Sequence, residues 1–373
     1  MIDREFNLND DIIYLNHAAV SPWPARTVKA VKKFADENMH RGSLNYPHWL
    51  EKEANLRRQA RKLINAHSVD DIALLKNTSE ALSVVAYGLE WKTGDNIVSS
   101  NMEFPSNRIV WESLSEKGIE FREADFNGSG SPEDSLFSLA DSSTRLLTIS
   151  SVQFSTGLLS DLKLIGEFCR ERGILFCIDA IQSLGIKGFD VNEIHADFVM
   201  ADGHKWMLGP EGLAIFYCNP DVRDTLNLNQ YGWHMVEAAG NFESREWTPA
   251  LSARRFECGS PNMLGIHALD ASLSLLFEMG IENVEKEILK RSEYLFKKIE
   301  SKPELELVTS PEPGRYAGIV SFRHQSRASN IVFKHLTEKN VFCSLRNDAI
   351  RLSPHFYTPL EHLEMVIDIA AKT

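Results

Sequence analysis

Between about residues 70 and 218 the chain alternates short apolar runs with longer amphipathic stretches. The short runs fall at 72–75, 96–100, 146–150, 174–178, 198–201 and 213–217. Runs this short, rich in apolar residues and without a helical period, predict strands buried on both faces. Between several of them, 80–89, 106–117 and 162–172 carry apolar residues at helical spacing, with Ser, Thr, Asn or Asp near their starts. That is the pattern of a capped helix. Strands alternating with helices predict a mainly parallel sheet wrapped by helices, an α/β fold. The last two runs are separated only by Asp202 to Glu211, too short for a helical crossover, so an antiparallel neighbour is open there.

The pattern changes after residue 218. The stretch 219–261 is irregular, contains Trp233 and Trp247, and reads as an excursion near a surface or a subunit contact. Two long amphipathic helices follow at 263–279 and 284–301. Strands are expected near 305–308, 317–322, 341–345 and 350–352, with helices at 328–338 and from Leu360 onward. This is an α+β block, suited to a second, smaller domain.

Composition narrows the functional classes. The chain has 373 residues, 43% hydrophobic and 25% charged, which is ordinary globular usage. Lys and Arg number 40 against 52 Asp and Glu, a net charge of −12, which disfavours nucleic acid or an anionic membrane as partner. The five cysteines are scattered, and none stands in a metal-binding spacing. Cys177 and Cys218 lie in apolar runs and read as reduced core thiols. The acidic N-terminus is wrong for a targeting peptide, and no apolar run approaches the ~20 residues of a membrane span. A soluble, reduced, cytoplasmic protein without a metal is the expectation.

Three strand ends carry candidate chemistry. In Ala201-Asp-Gly-His-Lys-Trp-Met-Leu-Gly-Pro-Glu-Gly212 a strand runs into a Gly-flanked loop bearing Lys205. Either Lys205 is a surface lysine in a turn, or its amine is desolvated enough to form a Schiff base. The run 174–178 ends on Asp179, with Gln182 three residues on. An acid there either caps the next turn or contacts a ligand, since α/β sheets bind ligands at the carboxyl ends of strands. In Leu75-Lys-Asn-Thr-Ser-Glu80 a strand turns through Thr78 and Ser79 into a helix. Those hydroxyls either cap the helix or, with its free N–H groups, hold a phosphate. An amine, a carboxylate and an anion site together suit pyridoxal 5'-phosphate, which needs a partner for its aldehyde, its ring nitrogen and its phosphate.

With these residues the chain resembles the class V aminotransferase group of fold-type I pyridoxal-phosphate enzymes, which includes cysteine desulfurases, selenocysteine lyases, kynureninases and isopenicillin-N-epimerase-like proteins. The likeness runs from Tyr14-Leu-Asn-His-Ala-Ala19 to Arg351-Leu-Ser-Pro-His-Phe-Tyr357. Its most specific part is Gly203-His-Lys-Trp206 with Gly209-Pro-Glu-Gly-Leu213. The resemblance implies a mainly parallel seven-stranded sheet and a smaller α+β C-terminal domain. It divides the chain into an arm at 1–20, a large coenzyme domain at 21–262 and a small domain at 263–373. It makes Lys205 the Schiff-base lysine, Asp179 the ring-nitrogen partner and Gln182 a donor to the ring hydroxyl. Thr78, Ser79 and His204 would hold the phosphate, and Phe104 would stack on the ring. Ser260, in Gly259-Ser-Pro-Asn262, would reach the coenzyme phosphate of a second subunit, because the group's members are dimers with shared sites. Arg351 matches the arginine that takes the substrate carboxylate.

The departures bear on reaction type. Phe104 follows Met102-Glu103 where desulfurases have a ring-stacking His, and Phe154 replaces an Asn. Asp202 stands where many of them have Ser beside the phosphate, and is expected to point away from it. Cys343, in the alternating run Val341-Phe-Cys-Ser-Leu345, reads as a packed residue rather than a mobile nucleophile. The expectation is therefore an enzyme acting on the α-amino group of an amino acid through an external aldimine. Transamination, epimerisation and lyase chemistry stay open, with the epimerase-like branch in front and cysteine desulfurase or selenocysteine lyase as the alternative. Substrate-pocket residues are expected near His17, in 41–48 and in 230–247.

Overall fold

The computed structural model describes residues 4–128 and 130–373. After a two-residue strand β1 (Ile13–Tyr14), the chain forms a helical hairpin, α1 (Ala25–Arg41) and α2 (Tyr46–Leu63). It then lays down β2 (Ile72–Leu75), α3 (Thr78–Gly88), β3 (Asn96–Ser100), α4 (Ser106–Glu112), β4 (Glu120–Ala124) and α5 (Pro132–Leu139). Next come β5 (Thr144–Ser150), α6 (Leu162–Arg172), β6 (Leu175–Asp179), β7 (Phe198–Asp202) and β8 (Ala214–Cys218). These strands make one seven-stranded sheet of order β2-β8-β7-β6-β5-β3-β4. β8 alone runs against the others, antiparallel to both β7 and β2, as the short 202–211 connection allows. Every strand except edge strand β4 is buried on both faces. Alternate side chains build two cores: Val98, Ile149, Ile178 and Val199 on one face, and Ile97, Leu146, Cys177 and Met200 on the other.

The C-terminal part begins after a short helix, α7 (Pro220–Arg223), and an irregular stretch that exposes Tyr231, Phe242 and Trp247. The helix α8 (Met263–Met279) lies where the expected small domain begins. Its buried Ile266, Leu269 and Leu273 instead join the core of the large sheet, and it packs on α1 and α2. A bend leads into α9 (Ile281–Glu300), and from there β9 (Leu305–Leu307), β10 (Val320–His324) and α10 (Ser329–Glu338) follow. The chain closes with β11 (Val341–Phe342), β12 (Ser344–Arg346), β13 (Ala349–Leu352) and α11 (Leu360–Ala371). An antiparallel sheet of order β12-β13-β10-β9 carries its own core with α9, α10 and α11, including Leu295, Phe322, Leu336, Ile350 and Ile367. The run 341–345 splits between two sheets: β11 pairs in parallel with β1, and β12 pairs with β13. The N-terminal arm is thereby stitched to the C-terminal part through a two-stranded sheet of its own. Among the described residues, no single helix is long and apolar enough to cross a membrane.

Candidate active site

The carboxyl ends of the parallel strands converge on a cavity of about 280 Å³. Its wall includes Ala18 to Val20 from the arm, Thr78 and Ser79 after β2, Phe104 after β3 and Phe154 after β5. Asp179 ends β6, Asp202, His204 and Lys205 follow from β7, and Arg351 comes from β13 of the small sheet. Eight of the nine expected site residues thus share one cavity. Ser260 does not: it is exposed on the stretch before α8, beside a separate cleft with Cys258 and Lys76. Of the segments expected to shape the pocket, only the arm does so in this chain. Residues 41–48 and 230–247 line other surfaces.

Lys205 is buried in a loop held from three directions. Trp206, fully buried, donates its indole N–H to Gln182 Oε1 at 2.8 Å, and Leu208 adopts a left-handed φ of 60° that a bulky residue reaches only under constraint. Gly318 leaves room for the Trp206 ring, because a Cβ there would stand 2.6 Å from Cη2. Gly318→Ala is expected to cost about 1–3 kcal/mol by overpacking. A denaturation midpoint left unchanged would show that the loop yields instead. Behind Trp206, His17 bridges the carbonyl of Ser353 (2.8 Å) and the hydroxyl of Tyr357 (2.7 Å). Burial lowers its pKa to about 4, so it is a neutral packing group.

The Lys205 amine has no hydrogen-bond or ion-pair partner among the described residues, and burial lowers its pKa, against the opposing pull of Asp179. Asp179 shows the reverse: burial raises its carboxyl, with Oδ1 accepting one backbone bond from Ile181 at 3.0 Å. Gln182 is oriented unambiguously, since the Trp206 N–H must meet its oxygen. Its amide nitrogen then donates to Ala18 O at 3.1 Å and keeps one hydrogen to spare.

At the α3 N-terminus the cap is neither of the two hydroxyl residues. Asn77, not Thr78 or Ser79, caps the helix by accepting from Glu80 N at 2.9 Å. Thr78 Oγ1 instead accepts from Asp202 N (3.1 Å), and Ser79 donates to Ser106 Oγ (2.8 Å), and both residues line the cavity at the start of α3. Contrary to the expectation, Asp202 does not turn away. It lines the cavity with Oδ1 at 3.1 Å from His204 Nδ1, in contact but not aligned for a hydrogen bond.

Arg351 is 2% exposed and has no carboxylate partner among the described residues. Nη1 donates to Phe154 O at 2.7 Å, Nη2 reaches Ser344 Oγ at 3.5 Å, and the buried Nε has no partner. Burial and the neighbouring Arg346 lower its pKa to about 9. A buried guanidinium in this state calls for an anion from outside the chain. Arg346 was not singled out from sequence, and neither was the role of Glu103. That buried carboxylate accepts from Ser150, Gln153 and Asn107 at 2.5–2.8 Å and so anchors the loop carrying Phe104. Cys343 sits at the β11–β12 junction, buried, its thiol pushed up to about 12.

The chain is similar to known proteins over nearly its whole length. A probable cysteine desulfurase of Methanothermobacter thermautotrophicus is 31% identical, over 98% of this chain and 95% of that one. An uncharacterized aminotransferase, YcbU of Bacillus subtilis, is 30% identical over 92% and 90%. Among solved structures, the complex of the cystine C–S lyase C-DES with its reaction product cysteine persulfide superposes with a TM-score of 0.89 at 23% identity, covering 96% and 97% of the two chains. The apo cysteine desulfurase of Thermococcus onnurineus does so at 0.88 and 24%, covering 100% and 96%. These relatives stand closer to the desulfurase alternative than to the epimerase-like branch that the sequence put in front. The family profile described as Aminotransferase class-V matches residues 13–345, and with the lysine, aspartate and arginine of one cavity accounted for, this chain belongs to that family of fold-type I, pyridoxal-phosphate-dependent enzymes.

Proposed function

We propose that the chain cleaves the C–S bond of a cysteine-type L-amino acid by elimination, without a protein thiol as sulfur acceptor. The observation that carries the amino-acid part is the juxtaposition in one cavity of a buried, unpaired amine, Lys205, and a buried guanidinium lacking an acid, Arg351. The desulfurase and cystine-lyase relatives support sulfur as the leaving atom.

The residues present fit pyridoxal phosphate. Asp179 is a carboxyl without a cation bonded to it, suited to a protonated ring nitrogen, and Gln182 has its spare N–H. Thr78, Ser79, His204 and the free start of α3 would hold the phosphate, and Phe104 offers a stacking face. When bound, the coenzyme supplies an aldehyde for the substrate amine and a sink for electrons released at Cα.

The chain's own groups do the rest. Arg351 orients the α-carboxylate, and desolvated Lys205 can hold or give up a proton near neutral pH more readily than an ordinary lysine. Among the described residues lining the cavity there is no cysteine, and Cys343 is packed with its thiol protonated. Elimination needs none: cystine and water give cysteine persulfide, pyruvate and ammonia, and cysteine and water give sulfide, pyruvate and ammonia.

Product analysis separates the routes. Pyruvate and ammonia in step with released sulfur are expected, with Cys343→Ser within about twofold of the parent, as for a substitution outside the chemistry. Alanine as the carbon product, lost in the Cys343 variant, would mean a thiol-dependent desulfurase. No sulfur release from cysteine or cystine would remove the reading.

A further inference from the structure

Arg346 is a second guanidinium lining the cavity, and C–S cleavage as described leaves it without a task. It ends β12, while Arg351 lies in the neighbouring strand β13. The antiparallel register sets Ser344 opposite Arg351 and Arg346 opposite Ala349. Positive φ at both Asn347 (45°) and Asp348 (55°) makes a two-residue turn that fixes this register. Residues two apart on a strand share a face, and so do residues directly opposite, so Arg346 and Arg351 stand on one face of the hairpin. They are offset by two residues along the strands, roughly 7 Å. Their depths differ: Arg351 is buried, whereas Arg346 is half-buried beside the exposed turn. Arg346 Nη1 donates to Leu345 O at 2.9 Å, and no acid pairs with its guanidinium among the described residues. The acids lining the cavity, Asp179, Asp202 and Glu211, all come from the large sheet and the loop after β7. The small-sheet wall therefore carries two positive charges at two depths and no acid.

We propose that Arg346 selects the substrate by taking a second carboxylate, carried on the sulfur substituent. The preferred substrate is then a cysteine disulfide or S-conjugate with an acidic end, of which cystine is the simplest. This rests on the C–S cleavage reading above. The inner half gives its α-carboxylate to Arg351 at the bottom of the cavity, and the outer half gives its own to Arg346 nearer the mouth. Cysteine has one carboxylate and leaves Arg346 unanswered. When the Cβ–S bond breaks, its electron pair goes to the inner sulfur, which takes up the proton lost from Cα. The leaving persulfide keeps the outer carboxylate, so Arg346 holds the product until it departs. The three-carbon remainder gives pyruvate and ammonia with water, as above.

The test supplies holoenzyme with three disulfides of cysteine that differ in the outer half. Cystine has both an amine and a carboxylate there, the 3-mercaptopropionate disulfide only the carboxylate, and the cysteamine disulfide only the amine. Initial rates of pyruvate formation give kcat/KM for each. The two carboxylate-bearing disulfides should exceed the cysteamine disulfide by about ten- to a hundredfold, the range of one hydrogen bond to a charged group, and mostly through KM. Arg346→Gln should bring that ratio to within about twofold, Arg346→Lys should retain part of it, and Arg346→Glu should turn the preference toward the cysteamine disulfide. A ratio near one in the parent, or a preference that survives Arg346→Gln, would overturn the proposal. An equal loss on all three disulfides in Arg346→Gln would overturn it too, by assigning Arg346 to the α-carboxylate beside Arg351. Neither pyruvate nor released sulfur from any of the three would instead remove the C–S cleavage reading, and this inference with it.

Discussion

Lys205→Ala is expected to lower turnover by at least about 10⁴-fold while leaving the fold intact, because one substitution removes both the covalent anchor and the only amine among the described residues lining the cavity. Burying an amine without a partner is costly, so the alanine variant should melt no lower than the parent. Steady-state product formation and a thermal melt read the two halves separately. Activity above about a hundredth of the parent would mean that another group carries the proton, since general bases contribute roughly 10²–10⁴-fold. The pH dependence has a definite sign. A base acts unprotonated, and burial lowers the pKa of the Lys205 amine once substrate has freed it, so kcat should rise with pH through a value below the ordinary lysine range and level off above it. A limb placed at the unperturbed lysine value would contradict the desolvated setting.

The large sheet was legible because its strands are buried on both faces, which forces apolar residues at successive positions regardless of side. Edge strand β4 was not, because Glu120-Phe-Arg-Glu-Ala124 pairs on one side only and leaves most of its side chains in or near solvent. Helix α1 escaped for a related reason: of its 17 residues only Thr27 is buried, and Val28, Val31 and Phe34 on its inner side are only half-buried. The placement of α8 depends on which core its long apolar face meets, and periodicity cannot choose between two cores. The site shows the same division. Lys205 and Asp179 could be found because each is a costly residue in a Gly-flanked loop or at the end of an apolar strand, whereas Arg351 came only from the family resemblance. The helix cap at Asn77, the contact of Asp202 with His204 and the network around Glu103 join residues far apart in the chain or fixed by rotamer, and spacing carries no trace of them. The split of 341–345 between two sheets also explains why Cys343 looked strand-like and yet belongs to neither β11 nor β12.

Arg351→Met separates a binding residue from a structural one by moving affinity and stability in opposite directions. The guanidinium is buried, meets a backbone carbonyl and a distant hydroxyl, leaves Nε unpartnered, and is further destabilised by Arg346. Its positive charge therefore weakens the free protein and is compensated only when a carboxylate arrives. Methionine keeps much of the volume and removes the charge. Losing one partner of a buried charge pair costs about 2–5 kcal/mol, roughly thirty- to several-thousand-fold in kcat/KM. The larger share should fall on KM, because the carboxylate is held alike before and during reaction. Replacing a buried ionic group by an apolar one of similar size is neutral or stabilising by about 1–4 kcal/mol, so the melting temperature of the substrate-free protein should hold or rise by a few degrees. The carbonyl of Phe154 loses its donor in the variant, which sets a limit on that gain. If the variant instead melts well below the parent with KM unchanged, Arg351 serves the β12–β13 edge and the carboxylate must be held elsewhere.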